Sequence, residues 1–251
     1  MTRLAGEVAL VTGSTAGIGK AIALRFAAEG ASVVITGRDA ERGERVAAAC
    51  EGRGAFVPAD LSGGAAADAL VAATVDRFGS LSVLVNNAAT SERDGPVADL
   101  EDAQLLAILH VDLLAPARLC RAAMPHLRAC GHGSIVNISS RAASRASRGL
   151  AAYTAAKGGL EALTRSIAVD EAAHNVRCNA ISPGYVINER RDADISDDEL
   201  ARRNAMHLLG VGDADDVAFA AVYLASQESK WVTGTVLPLD GGSSAARGSF
   251  K

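Results

Sequence analysis

Aromatic side chains are scarce: five Phe, three Tyr and one Trp make up 4% of the 251 residues. A core of stacked rings is therefore excluded, and Ala, Val, Leu and Ile must fill the interior. That composition suits buried parallel strands covered by Ala-rich helices. Cysteine is sparse as well. Cys50, Cys120, Cys130 and Cys178 show no CxxC and no paired spacing, so neither a disulfide framework nor a Cys-based zinc site is indicated. The five histidines form no HxxxH or HExxH, and no metal site is expected. An excess of one charge sign is missing too: 25 Lys and Arg are interspersed with 29 Asp and Glu, for a net charge of −4. This argues against a nucleic-acid-binding surface. No apolar run approaches the roughly 18–20 residues of a membrane span, and the N-terminus starts a strand almost at once, without a signal-peptide pattern. The expectation is a cytoplasmic protein, not attached to a membrane, with a single domain over residues 1–251.

What is present begins with a short apolar run, Glu7 to Thr12, followed directly by Gly13-Ser14-Thr15-Ala16-Gly17-Ile18-Gly19. A periodic apolar stretch then runs from Ile18 to Ala28 and ends at Gly30, and Ala31 to Thr36 reads as a second buried strand. This is a βαβ unit with a glycine turn between its first strand and its helix. Such a turn lets backbone N–H groups approach a phosphate, and the helix N-terminus adds a positive dipole end. A turn that merely needs small residues is the plainer alternative; the flanking strand and helix favour a dinucleotide. The second strand ends in Gly37-Arg38. No carboxylate stands there for the adenosine ribose hydroxyls, whereas Arg38 offers a fork for a 2′-phosphate. NADP(H) is therefore favoured over NAD(H), the alternative being that Arg38 is a solvated residue opening the next helix.

Tyr153 and Lys157 fall four residues apart in a helical pattern, thirteen residues and more beyond Ser140. Positions i and i+4 share a helix face, and an ammonium beside a phenol favours the phenolate. A chance coincidence on an ordinary helix face would look the same.

Taken together, these motifs resemble the short-chain dehydrogenase/reductase family over nearly the whole chain. Further marks are Asp60-Leu61, Asn86-Asn87-Ala88, Asn137-Ile138-Ser139-Ser140, Pro183-Gly184 and Asp240-Gly241-Gly242. The resemblance implies one doubly wound, Rossmann-like parallel sheet of seven strands with helices on both faces. It implies hydride transfer between a nicotinamide cofactor and a carbonyl or secondary alcohol. Tyr153 is then the general acid/base, Lys157 its partner and a ribose ligand, and Ser140 the donor to the substrate oxygen. The cofactor would be held by Gly13, Ser14, Thr15, Gly17, Ile18, Gly19, Arg38, Asp60, Leu61, Asn87, Tyr153, Lys157, Pro183, Gly184 and Val186. It also implies a homodimer or homotetramer built on a four-helix interface. Three positions depart from the family. Ala89 stands for a glycine, Asn188 for a threonine near the nicotinamide, and Asp112 for a catalytic asparagine. Asp112 either anchors a proton relay beside Lys157 or satisfies the backbone of its own helix.

The remaining expectations are local. Gly63 to Phe78 and Asp39 to Cys50 read as helices. Asp99 to Ala129 reads as a long helix with Asp99 as N-cap, kinked or divided at Pro116 and Pro125. Arg141, Arg145 and Arg148 form either a solvated fringe or a seat for a phosphate or acidic substrate. Residues 185–210 are the expected substrate lid, with Ser196 as an N-cap, and the tail Ser243 to Lys251 lies at a subunit contact or is disordered. Two rivals to the reading above stay open: a 3-oxoacyl thioester reductase within the same family, and a cofactor-binding sensor or scaffold with little catalysis.

Overall fold

The structure, a computed structural model, describes residues 2–90, 94–189 and 192–245. Seven strands, β1 (Val8–Val11), β2 (Ser32–Gly37), β3 (Gly54–Pro58), β4 (Val83–Asn86), β5 (Ser134–Ile138), β6 (Arg177–Pro183) and β7 (Val236–Leu239), form one sheet. All pairs are parallel, in the order β3-β2-β1-β4-β5-β6-β7. The helices are α1 (Gly17–Ala28), α2 (Ala40–Ala49), α3 (Ala66–Phe78), α4 (Asp102–Leu109), α5 (Ala115–Ala129), α6 (Ala151–Glu171), α7 (Asp197–Ala205) and α8 (Ala214–Ala225).

Successive strand residues point to opposite faces, and this sorts the core into two layers. Ala9, Val11, Val33, Ile35, Val83 and Val85 pack under α1 and α8 through Ile22, Phe26, Val217 and Ala221. Leu10, Val34, Leu84 and Ile135 face the other way, against Leu70 of α3, Leu119, Ala123 and Leu127 of α5, and Ile167 of α6. Both faces of the sheet are therefore covered, as continuous apolar strands require.

The long helical pattern after β4 departs from expectation in its details. Asp99 ends a short 3-10 turn, Val97–Asp99, and its N–H is bonded to Pro96 O. Capping falls instead to Glu101, in a reciprocal box with Gln104. The division between α4 and α5 is a π-helical turn, His110–Leu114, which precedes Pro116. Pro116 stands in the first turn of α5, just past the π turn that Ala115 N–H closes on His110 O. The wide turn swings Asp112 inward to full burial. By length and composition the helical stretch Asp102–Ala129 could cross a membrane, with a mean hydropathy of 1.4; its Leu119, Ala123 and Leu127 face is buried on the sheet.

Strand order reverses between β1 and β4, and ligands in open α/β sheets bind in the crevice at that point. One hydroxyl ties the two strand ends together. Thr12 Oγ1 accepts the N–H groups of Asn87 at 2.9 Å and Ala88 at 3.0 Å, and donates to Val85 O at 3.2 Å. Thr12→Val keeps the shape but leaves two amide donors unmet, so unfolding free energy should fall by about 1–3 kcal/mol. Urea titration measures it, and an unchanged midpoint would mean that water replaces the hydroxyl.

Candidate active site

The glycine turn sits at this crevice, between β1 and α1. Gly13 and Gly17 have φ of +61° and +53°, values open to glycine at no steric cost. A Cβ at Gly19 would lie 2.4 Å from Gly13 O and from Asn87 Nδ2, so only glycine permits the close packing there. The Asn87 amide donates to Thr12 O at 2.8 Å and Gly13 O at 3.2 Å. Its side chain therefore shapes the turn from behind. Ser14 is similarly engaged and fully buried: its hydroxyl donates to Val11 O at 2.6 Å and accepts Thr36 N–H at 3.0 Å. Thr15, Gly17 and Ile18 remain partly exposed at the crevice. A cradle that a Cβ would fill, backed by a helix N-terminus, fits a pyrophosphate.

At the end of β2, a Cβ at Gly37 would lie 2.7 Å from Thr15 Cγ2. A side chain at this place would have to displace Thr15. Arg38 and Asp60 are both exposed beside it. Asp60 accepts Ser62 N–H at 3.0 Å, and that bond, helped by the nearby Arg38 charge, holds its carboxyl below the usual carboxylate range. Leu61 is buried among α3 and α5 residues, in the layer of Leu70 and Leu119.

The second group of residues gathers on α6 and the ends of β5 and β4. Lys157 is 3% exposed and Asp112 fully buried, with Lys157 Nζ 3.1 Å from Asp112 Oδ1. That contact lacks hydrogen-bond alignment and is ionic in character. The ammonium donates instead to Ile138 O at 3.1 Å, two residues before Ser140, and lies 5.5 Å from the centre of the Tyr153 ring. Asp112 Oδ2 accepts Thr90 N–H at 3.0 Å, so the carboxylate joins the loop after β4 to α6. Tyr153 is half-buried among Ile108, Leu109, Leu113 and Ala156. Ser140 caps a short turn, Arg141–Ala143, by accepting Ala142 N–H at 3.1 Å. Because the hydroxyl oxygen is the acceptor there, its proton is left to donate.

The segment after β6 brings Asn188 to the glycine turn. Pro183 ends the strand, and Gly184 N–H bonds Leu239 O at 3.0 Å. Val186 is buried and bridges to Gly212. Asn188 Nδ2 would stand 2.7 Å from a Cβ at Gly17, which lays this amide against the glycine turn. Ser196 caps α7 as expected, accepting Glu199 N–H at 3.2 Å. The arginine fringe is less free than a solvated reading requires. Arg141 donates to Ser243 Oγ and Arg145 to Ser243 O, each at 2.7 Å; Arg148 stays exposed. The expected lid residues 190 and 191, and the tail beyond 245, lie outside the described residues.

Three residues that sequence reasoning passed over also serve this site. His207 is buried; its Nε2 accepts Tyr185 N–H at 3.1 Å and its Nδ1 meets Arg203 O at 2.8 Å. Ser243 anchors the two arginines. Asp94 bonds the start of α6, taking Tyr153 N–H at 2.8 Å. Each partner is distant in sequence except Arg203, and no local pattern marks them. Among the described residues, no cluster of His, Cys, Asp and Glu is suited to a metal ion.

The chain is similar along its length to known dehydrogenases and reductases. The family model described as enoyl-(acyl carrier protein) reductase matches residues 13–244. A 3beta-hydroxysteroid dehydrogenase of Mediterraneibacter gnavus is 36% identical, covering 96% of each chain. The NADP-dependent (R)-specific alcohol dehydrogenase of Lentilactobacillus kefiri is 36% identical, covering 97% of this chain and 98% of that one. The crystal structure of a candidate short-chain alcohol dehydrogenase from Sinorhizobium meliloti superposes with a TM-score of 0.90 at 31% identity, over 98% of this chain and 99% of that one. With a seven-stranded parallel sheet of this order, the glycine turn at its switch point and relatives of this kind along its length, the chain belongs to the short-chain dehydrogenase/reductase family of oxidoreductases.

Proposed function

We propose that this protein interconverts a small or cyclic secondary alcohol and its ketone, using NADP(H), with Tyr153 as the general acid/base. The observation that carries this reading is the buried Lys157 ammonium, held 5.5 Å from the Tyr153 ring centre at the carboxyl edge of the sheet. When bound in the cradle, the cofactor supplies or takes up the hydride. The chain's own residues handle the proton and the oxygen. Ser140 donates its free hydroxyl proton to the substrate oxygen and steadies the negative charge that grows there. Tyr153 delivers the proton to that oxygen in reduction and removes it in oxidation. Lys157, one turn along α6, sets its ammonium against the Tyr153 ring. Positioned proton transfer of this kind is typically worth about 10²–10⁴-fold.

Asp112 neutralises the buried lysine and, through Thr90 N–H, fixes the loop after β4. It holds the lysine in place directly. For the cofactor, the absent carboxylate at Gly37 and the exposed Arg38 favour the 2′-phosphate of NADP(H). A thioester-linked acyl carrier is the second reading, since Arg145 and Arg148 remain exposed near Ser140. The outer faces of α5 and α6 form a groove lined by Ala117, Met124, Leu163 and Ile167, which suits a second copy of the chain in a dimer or tetramer.

Tyr153→Phe should lower kcat by at least about 10²-fold and leave NADPH binding intact; ordinary turnover in this variant, assayed on a panel of ketones, sinks the assignment. Asp112→Ala strands a buried ammonium and should destabilise the fold by about 3–5 kcal/mol, read by urea unfolding, whereas Asp112→Asn should lose less. Arg38→Leu should raise KM for NADPH by about tenfold or more, the worth of one charge-assisted hydrogen bond, with little change for NADH. Equal effects on both cofactors would show that Arg38 does not meet a 2′-phosphate.

A further inference from the structure

Helix α6 carries both Tyr153 and Lys157, so its placement sets the geometry of the proton transfer. Lys157 is fixed by contacts of its own, to Ile138 O and Asp112. Tyr153 lies in the first turn, where the N–H groups have no intrahelical partner. The residue at the N-cap position is Leu150, which has no side chain able to cap. The missing acceptors come from the loop after β4. Ala151 N–H bonds Gly95 O at 3.3 Å. Ala152 N–H bonds Asp94 Oδ1 at 3.2 Å, and Tyr153 N–H bonds Asp94 Oδ2 at 2.8 Å. Asp94 Oδ1 also takes Gly95 N–H at 2.7 Å, which orients the carboxylate toward the helix. A negative charge at this end of a helix is favoured by the dipole as well.

From these bonds we infer that Asp94 is a positioning residue for proton transfer, acting through the backbone of Tyr153. The inference rests on the assignment of Tyr153 as acid/base. Both carboxylate oxygens are occupied by backbone donors, so Asp94 acts by holding the first turn of α6. Without it that turn frays, and the phenol moves while the lysine one turn later keeps its anchors. The expected signature is a loss in kcat with cofactor binding preserved, because a misplacement of about 1 Å can cost about 10²-fold. Asparagine retains one acceptor oxygen and turns a donor toward the other N–H, so it should fall between aspartate and alanine.

The test compares wild type, Asp94→Asn, Asp94→Ala, Tyr153→Phe and a control, Asp213→Ala. Asp213 caps α8 by accepting Asp216 N–H at 3.0 Å, away from Tyr153, so its loss reports the cost of removing a cap alone. Steady-state kinetics use NADPH and the fastest ketone of the panel; NADPH affinity is read by fluorescence titration. Support for the inference is a kcat loss of about 10–10²-fold in Asp94→Ala, a smaller loss in Asp94→Asn, unchanged NADPH affinity, and full kcat in Asp213→Ala. Wild-type kcat in Asp94→Ala, or an equal loss in Asp213→Ala, overturns it. Should the alanine variant fail to fold, Asp94→Asn decides: reduced kcat at unchanged NADPH affinity supports the inference, and wild-type kcat overturns it. Tyr153→Phe separates the two levels. If it turns over normally, the assignment of Tyr153 fails and the role of Asp94 with it. If it is inactive while Asp94→Ala is not, only the role of Asp94 falls.

Discussion

A buried ammonium is the constraint on which the rest of this site depends. Removing a charge from water costs several kcal/mol even after the protein relaxes. Lys157 must therefore find compensation wherever α6 places it, and three elements supply it: Ile138 O from the end of β5, the Asp112 carboxylate and the face of the Tyr153 ring. The first two are available only where the π-helical turn, α6 and β5 meet in one arrangement. The π-helical turn at His110–Leu114 is the local distortion that makes this possible. In it, the fully buried Asp112 reaches the lysine directly and still accepts Thr90 N–H. The charge pair thus fixes a loop, a helix and a strand end together.

The neutral polar residues at the switch point divide by role. Thr12, Ser14, Asn86, Asn87 and Asn137 look inward and hold the frame. Asn86 Nδ2 donates to Asn137 Oδ1 at 2.8 Å, and Asn137 Nδ2 to Thr164 Oγ1 at 2.9 Å, linking β4, β5 and α6 through side chains. Such a network is favourable only when its members are paired, because an unmet buried donor costs more than the bond returns. Ser140, Tyr153, Thr15 and Arg38 retain exposure at the crevice. The proposed chemistry and cofactor contact draw on this second set, which the first holds in place.

Much of this was legible in the sequence because it is local. The glycine turn is readable because its conformation excludes side chains, and the Tyr153–Lys157 pair because i and i+4 always share a helix face. The first two strands followed from the apolar runs Glu7 to Thr12 and Ala31 to Thr36; β1 lies within the first, and β2 follows the second and ends just past it at Gly37. What could not be read depends on partners far along the chain. Asp94 bonds residues 58 and 59 positions away, and nothing around it differs from an ordinary loop aspartate. Ser14 looks like a phosphate donor from its place in the turn, yet its hydroxyl is used between β1 and β2. The π-helical turn escaped because Pro116, the evident helix breaker, stands in the first turn that follows it. Periodicity cannot report an extra residue in a turn whose neighbours are all apolar.

The arginines near Ser140 tie its loop to the turn after β7. Arg141 and Arg145 are bonded to Ser243, and Ser243 belongs to the turn begun by Asp240. Burial opposes ionisation of Asp240, but hydrogen bonds from Ser244 and Gly242 together with the Arg141 charge hold its carboxyl below the usual range. A lowered carboxylate stabilises the fold above the ordinary aspartate range, and that contribution fades only as pH falls through the depressed value. At neutral pH the turn is therefore anionic and keeps Arg141 engaged. The bonds from Arg141 and Arg145 to Ser243 then pin the loop that follows Ser140 to the turn after β7. The oxygen-binding serine is thus positioned from two strand ends, its own and that of β7.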